Sequence, residues 1–290
     1  MAKGNFIEYV VSDNPNKYPD DGEQGGYYYE LISPPPYLSF IGNEDFTLKT
    51  NNTSKNWDGT LEYSTDKTTW NTWSGTTAIS SSGSKLYLRG TGNTKITGDS
   101  DNYRFVFTGT SNLKIACKGN IENLLDYETV SAGGHPTMAG YCYGHMFQSC
   151  TSLTTAPELP ATTLVTGCYD SMFSNCTALT QTPSLPATTL AVACYANMFY
   201  SCTSLTTAPE LPATTLDSVC YYAMFYDCTK IKLSTTQTGE YQTPYRIPTS
   251  GTGTTASDAL SNMFYNTGGT FTGTPSINTT YYLSTSNTVV

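Results

Sequence analysis

Charged residues are scarce in this chain: they make up 13% of its 290 residues, and the formal net charge is −9. The lysines and arginines form no basic cluster, which argues against binding to nucleic acid or to an anionic membrane. Long hydrophobic runs are also missing, since no apolar stretch approaches the roughly 20 residues that span a bilayer. We therefore expect neither a nucleic-acid partner nor membrane insertion.

The opening residues lack a secretory signal, because residues 1–11 carry one lysine and no continuous apolar stretch. If residue 1 is the native start, the protein is not exported by the signal-peptide route and folds under reducing conditions. The nine cysteines are then expected to be thiols rather than disulfides.

Residues that carry catalysis or bind metals are few. The chain has two histidines and no Cys-x(2–4)-Cys pair, which argues against zinc. Neither His135 nor His145 has a recognisable partner, and no Ser/His/Asp or Cys/His constellation can be assembled. Calcium is left open at loop carboxylates such as Asp99 and Asp101. We expect no catalytic residue, no cofactor and no metal.

The chain does contain a repeat with a period of 26 residues. Three full copies read Cys-Tyr-x-x-Met-Phe-x-x-Cys-Thr-x-Leu-Thr-x-x-Pro-x-Leu-Pro-Ala-Thr-Thr-Leu, and a fourth ends after Ile231. A period of this length predicts a solenoid, in which each coil buries its apolar face against its neighbours. The constant columns include Met146, Met172, Met198 and Met224; Cys142, Cys168, Cys194 and Cys220; and Cys150, Cys176, Cys202 and Cys228.

Spacing within one copy predicts the path of the coil. Cys142 and Met146 lie four residues apart, and Phe147 and Cys150 follow, which favours a short helix. Residues 153–156 are expected to form a strand, and five coils stacked at about 4.8 Å would give a parallel sheet. The column cysteines then pack in the core as reduced thiols, although a bridge along a column stays possible.

The solenoid is expected to continue past the fourth copy. Met263 follows Met224 by 39 residues, which is one period plus a 13-residue insertion, so a degenerate fifth coil would close the C-terminal end. The insertion, at about residues 234–246, carries Tyr241, Tyr245 and Arg246. Inserted loops lie on one face of a repeat array, often the binding face.

Composition divides the chain into three segments. Residues 1–36 are predicted to form an N-terminal arm and a proline-rich hinge for attachment or oligomerisation. Residues 37–112 alternate apolar and polar side chains in short runs, which is typical of an all-β sandwich. Residues 113–290 hold the solenoid, and residues 113–145 act as its N-terminal cap and first coil.

The contrast between constant and variable columns predicts which side chains face solvent. Exposed tyrosines suit recognition because they combine an apolar ring with a polar tip. Tolerance of tyrosine on a low-charge surface explains them equally well. The candidate surface-recognition residues are His145, Asp170, Ser171, Asn197, Tyr200, Tyr222, Tyr226, Tyr241, Tyr245 and Arg246.

Met146-Phe147, Cys150 and Leu153 resemble the apolar pair, cysteine and leucine of BspA-type leucine-rich repeats, with Met where that family more often has Ala. Residues 61–70 look like the Ig-like module that often precedes such repeats. Residues 9–30 look like stretches in tail or fibre proteins of phages that infect gut bacteria. The resemblance implies an α/β leucine-rich-repeat solenoid preceded by an all-β sandwich domain, and it implies adhesion rather than a reaction.

The first functional hypothesis is a non-enzymatic phage virion structural protein: a tail fibre, an appendage or a capsid decoration. Bacterial members of the family usually carry a secretion signal, whereas a virion protein needs none because lysis releases it. Its expected partners are other virion proteins through the arm, and a host surface protein or glycan through the solenoid. We expect a homo-oligomer that is assembled in the host cytoplasm and acts on the virion.

Two alternatives stay open. One is a bacterial cell-surface BspA-like adhesin whose signal lies upstream of residue 1. The remote alternative is a glycan-active enzyme, because residues 64–70 resemble the Asp-box of sialidases, although the motif is one residue short and occurs once. A hairpin turn in which Asp66 bonds the backbone and Trp70 packs explains the same residues without a substrate.

Overall fold

The computed structural model describes residues 9–11, 29–31, 36–52 and 54–290. The chain divides into two compact units, Met1–Pro35 and Pro36–Val290. In the first unit, two three-residue strands pair antiparallel. The rest of the predicted arm lies outside the described residues.

Strands and turns dominate the described residues. One α-helix, α1, spans Asn123–Ser131, and one 3₁₀ turn spans Asp101–Tyr103. The strands are β1 Tyr9–Val11, β2 Tyr29–Leu31, β3 Leu38–Gly42, β4 Thr47–Thr50, β5 Thr60–Ser64, β6 Asn71–Thr72, β7 Ile79–Ser80, β8 Lys85–Thr91, β9 Phe105–Thr108, β10 Ile115–Lys118, β11 Leu153–Thr155, β12 Thr207–Ala208, β13 Lys232–Ser234, β14 Tyr241–Arg246, β15 Gly268–Gly269, β16 Thr280–Ser284 and β17 Thr288–Val289.

Two sheets built mainly from residues before the repeats share one core. The first has the order β11-β10-β3-β8-β5-β6, and the second has the order β7-β4-β9. Successive side chains of a strand point to opposite faces, so β3 buries Leu38 and Phe40 completely on one face. Phe40 lies 5.2 Å from Phe107 of β9, measured between ring centroids. The side chains of the two sheets therefore pack against each other.

The first repeat is joined directly to these sheets. Strand β10 pairs antiparallel with β3 on one side and parallel with β11, from the first repeat, on the other. The N–H groups of Ile96 and Phe105 donate to the carbonyls of Cys142 and Met146 at 2.8 and 2.7 Å. Gly119 and Ile121, from the segment expected to form the cap, hydrogen-bond Glu158. Residues that precede the first repeat in the chain therefore provide hydrogen-bond partners for its backbone groups.

Each repeat opens with a succession of four-residue turns. Successive backbone N–H groups donate alternately within their own repeat and to the next repeat. The N–H of Met146 donates to Tyr143 O of the same repeat at 3.2 Å, whereas the N–H of Phe147 donates to Met172 O of the next repeat at 2.9 Å. Every fourth residue has a positive φ, which glycine, asparagine and aspartate adopt most easily. These residues are Tyr141, His145 and Ser149; Gly167, Ser171 and Asn175; Ala193, Asn197 and Ser201; Val219, Ala223 and Asp227; and Asp258, Asn262 and Asn266.

The predicted α/β leucine-rich-repeat solenoid is wrong. Within the described part of the chain the repeats contain no α-helix, because α1 precedes them. Strands β11, β12 and β13 lie in three different sheets and not in one parallel sheet. The protein has instead an all-β fold of several small sheets, with a stack of turn-built repeats. A helix and a run of four-residue turns both bury side chains at about every fourth position, so the sequence pattern did not separate them.

Two ladders of aromatic rings fill the centre of the repeat stack. Neighbouring rings are nearly parallel, with centroids 5.6–5.8 Å apart in the tyrosine ladder and 5.5–5.7 Å apart in the phenylalanine ladder. All of these side chains are buried, and Phe264 extends the second ladder into the expected fifth copy. The ladders are Tyr143, Tyr169, Tyr195 and Tyr221, and Phe147, Phe173, Phe199, Phe225 and Phe264.

The C-terminal residues fold back along the stack. The sheet β14-β16-β13-β15 joins the fourth repeat to residues 241–284, and β17 pairs parallel with β12 of the third repeat. Asn287 is buried, and its amide donates to the carbonyls of Thr206 and Lys230 at 2.9 Å each. The tail therefore links the third repeat to the fourth.

Candidate functional site

The clearest surface feature is a row of three stacked tyrosines, Tyr200, Tyr226 and Tyr265, which we call the tyrosine row. Each comes from one of the last three repeats, at the position after the Met-Phe pair. Ring centroids are 4.7 Å apart at both steps, with interplanar angles of 10° and 20°. Tyr200 and Tyr226 are half-buried, whereas Tyr265 is 48% exposed. The row is therefore partly open to solvent, most of all at Tyr265.

Loss of hydration raises the pKa of Tyr226, and the adjacent Tyr200 and Tyr265 add to this shift. The Tyr226 hydroxyl therefore stays protonated at neutral pH, where it can donate and accept a hydrogen bond.

Polar side chains of neighbouring columns surround the row. Asn266 donates to Asp227 Oδ1 at 2.7 Å, and Ser201 donates to the other carboxylate oxygen of Asp227 at 3.5 Å. These three residues occupy the left-handed turn position next to the tyrosine column. The border of the row thus offers carboxylate and amide groups.

A second polar group lies nearer the first repeat. Ser171 donates to Asp170 Oδ1 at 2.9 Å, and His145 Nδ1 lies 3.1 Å from Gln148 Oε1. Burial raises the pKa of Asp170, while the Ser171 hydroxyl and His145 act in the opposite direction. Asp170, His145 and Asn197 are half-buried, but Ser171 is 7% exposed. Ser171 was predicted to face solvent; the structure buries it beneath its neighbours.

Three sequence-predicted residues lie away from this surface. The insertion forms strand β14, and Tyr241 and Tyr245 are buried, so the exposure predicted for them is not found. Tyr245 donates to Pro209 O at 3.1 Å and packs edge-on against Phe264, which explains its burial. Arg246 donates to Pro248 O and Asn278 Oδ1. Tyr245 and Arg246 thus contact residues of the fifth repeat and of the segment that follows it.

Tyr222 is the other predicted tyrosine, and it is half-buried in the column of Asp170. Sequence reasoning missed Tyr265. A signal for it was present, because the Met263-Phe264 pair already aligned the fifth copy with Met224-Phe225. Extending that alignment by one residue places Tyr265 beneath Tyr226.

The two histidines and the Asp-box-like turn show no catalytic arrangement. His135, for which the sequence offers no partner, has Nδ1 2.8 Å from a carboxylate oxygen of the buried Glu122. Asp66 accepts the N–H groups of Thr68 and Thr69 at 2.8 and 2.7 Å, and these bonds lower its pKa. The hairpin interpretation of this motif is confirmed, since β5 and β6 pair across it.

The nine cysteines are free and buried. In one column Cys176, Cys202 and Cys228 donate to a phenylalanine carbonyl of the preceding repeat, as Cys176 Sγ does to Phe147 O at 3.0 Å, and Cys150 donates to Phe105 O of β9. Burial raises the pKa of Cys150, and of Cys202, to about 12. A protonated, enclosed thiol is a poor nucleophile and a poor metal ligand.

We expect none of the nine thiols to react with Ellman's reagent at pH 8 while the protein is folded. Only the thiolate reacts, and the raised pKa values keep these groups protonated until well above pH 9. In 6 M guanidinium chloride all nine should react within minutes, which provides the control. Stoichiometric labelling of even one thiol in the folded protein would contradict the packing described here.

Within residues 9–11, 29–31, 36–52 and 54–290, no three or more His, Cys, Asp or Glu side chains are grouped so that they could hold a metal ion. The same residues include no helix of the length and apolarity that crossing a membrane requires. No protein-family model, curated protein or solved structure matches the chain.

Proposed function

We propose that this chain is a non-enzymatic surface-recognition protein that belongs to a phage particle and binds the host cell through its repeat stack. The observation that carries the recognition part is the tyrosine row. Three aromatic side chains of one column lie at a regular 4.7 Å spacing on a surface of low charge. Tyrosine is enriched where proteins bind other molecules, because its ring packs and its hydroxyl bonds.

The phage setting rests on the sequence alone. Residues 9–30 resemble tail or fibre proteins of phages that infect gut bacteria, and the repeats resemble an adhesive family. Mass spectrometry of purified virions tests this setting: the chain should be present in stoichiometric amounts with tail or capsid proteins. Its absence from particles would remove the phage part of the proposal.

Replacing Tyr200, Tyr226 and Tyr265 together by alanine should reduce binding of the fluorescently labelled protein to host cells by about tenfold or more, equivalent to about 1.4 kcal/mol. The replacement removes the whole row while the buried ladders are untouched. Flow cytometry on intact cells provides the measurement.

A matched control exists elsewhere in the repeat stack. Thr162, Thr188 and Thr214 form another column of three exposed side chains, and their replacement by alanine should leave cell binding unchanged. Equal loss in both variants, or no loss in the tyrosine variant, would rule out the tyrosine row as the recognition surface.

A further inference from the structure

The three rings of the tyrosine row expose different parts of themselves. Tyr226 has a ring 4.7 Å away on each side, so both of its faces are covered. Tyr265 stacks on Tyr226 through one face only; in the described part of the chain no further ring stacks on its other face. Tyr200 also stacks on one ring only but is half-buried, so Tyr265, with 48% of its surface exposed, is the ring of the row most open to a ligand.

Hydrogen-bonding side chains lie close to Tyr265 in the chain and in the neighbouring repeat. Asp227 and Asn266 lie in the adjacent column and are joined by a 2.7 Å hydrogen bond. Asn262, also in the last repeat, is half-buried. A sugar ring has a C–H face that packs on an aromatic ring, and hydroxyls around its rim that need donors and acceptors. An exposed aromatic ring with amide side chains in its own repeat and a carboxylate in the preceding repeat matches both requirements.

A protein partner fits this surface less well. Standard interfaces bury about 800 Å² on each side and surround their aromatic anchors with contacts that exclude water. Among the described residues the exposed large hydrophobic side chains are Val192, Tyr265 and Val290. Tyr265 is thus a single exposed ring among polar groups and not the centre of a broad apolar patch.

The negative charge of the protein distinguishes between neutral and acidic sugars as ligands. Asp227 lies next to Tyr226 in the chain, and the whole chain has a formal net charge of −9. Such a surface repels acidic sugars.

We infer that the tyrosine row binds a neutral glycan, one sugar ring of which stacks on the outer face of Tyr265, while Asn266 beside Tyr265 and Asp227 beside Tyr226 bond hydroxyls of the glycan. The inference rests on the proposed function and names the ligand class of the same surface. A chain of sugars lying along the row would meet the hydroxyl of a further tyrosine at each 4.7 Å step.

Isothermal titration of the full chain with maltohexaose, cellohexaose and the hexamer of N-acetylglucosamine tests the inference, with trigalacturonate as the acidic probe. At least one neutral hexamer should bind, and Tyr265→Ala should raise its Kd by about tenfold or more. Tyr265→Phe keeps the ring face, so its Kd should stay within about twofold of the wild type. Tyr103→Ala, which removes a half-buried tyrosine before the repeats, is the matched control and should leave Kd unchanged.

Several results would overturn the inference. These are binding of none of the neutral hexamers, binding of trigalacturonate alone, or an unchanged Kd in Tyr265→Ala. Light scattering identifies the remaining alternative: a dimer that Tyr265→Ala converts to a monomer would assign the ring to a second copy of the chain. Cell binding that persists in Tyr265→Ala and is not competed by the hexamers would overturn the glycan inference while leaving the proposed function intact.

Discussion

Phe173→Ala should lower the free energy of unfolding by about 3–5 kcal/mol, the usual cost of truncating a buried phenylalanine. Phe173 has no solvent exposure and lies between Phe147 and Phe199, with centroids 5.7 Å away on each side. Its removal leaves a cavity that the hydrogen-bonded backbone of two neighbouring repeats prevents from closing. Urea denaturation followed by circular dichroism measures the effect.

Thr177→Ala is the control, because Thr177 is exposed in the same repeat, and it should change stability by less than about 0.5 kcal/mol. Phe173→Leu retains most of the buried volume and should cost less than the alanine variant. If Phe173→Ala lowered the free energy of unfolding by less than about 1 kcal/mol, the phenylalanine ladder would not be a main source of the stability of the repeat stack.

Asn93→Ala should cost about 3 kcal/mol or more, since each buried group that loses its partner costs about 1–3 kcal/mol. Asn93 is 3% exposed, and its side chain serves three backbone groups. The amide donates to Thr60 O at 2.7 Å and to Leu124 O at 3.0 Å, and its oxygen accepts the N–H of Gly59 at 2.7 Å. Alanine leaves all three without their partner.

Thermal unfolding monitored by circular dichroism checks this prediction. Asn102→Ala is the comparison, because Asn102 is exposed and its amide bonds the nearby Ser100 hydroxyl. We expect the Asn102 variant to unfold within about 2 °C of the wild type. If both variants unfold at the wild-type temperature, Asn93 does not join α1 to the sheets as described.

Several features of the repeats follow from the sequence. The 26-residue period identifies the core columns, because a side chain that recurs in every copy packs on its own counterpart. The fifth copy was predicted from Met263-Phe264, and in the structure Phe264 stacks on Phe225 at 5.5 Å. The burial of the column cysteines follows from the same argument.

The local conformation of the repeats could not be obtained from that pattern. Buried residues four apart fit a helix, and hydrophobicity alone does not distinguish it from successive turns. The distinguishing signal lay in the variable columns: Asn175, Asn197, Asn262 and Asn266 occupy left-handed positions that asparagine tolerates well. The choice of asparagine at these positions thus reflects the need for a positive φ as well as exposure to solvent.

The candidate site was predicted in part. Tyr200 and Tyr226 lie where the variable columns indicated, on the surface of the stack. Tyr241 and Tyr245 were assigned to a loop because an insertion between repeats offers no periodic signal. Their pairing partners in β16 lie about 40 residues later in the chain, and such long-range pairing is not visible in one sequence.

The alternating direction of the N–H groups has a consequence for how this gene can change. Each repeat donates to the next through groups that recur in every copy, as Phe147 does to Met172 and Phe173 does to Met198. Duplication or deletion of one whole period therefore preserves every junction. Duplication of a repeat that carries a row tyrosine would add one ring to the tyrosine row. The number of such repeats would then determine the length of ligand that the row can bind.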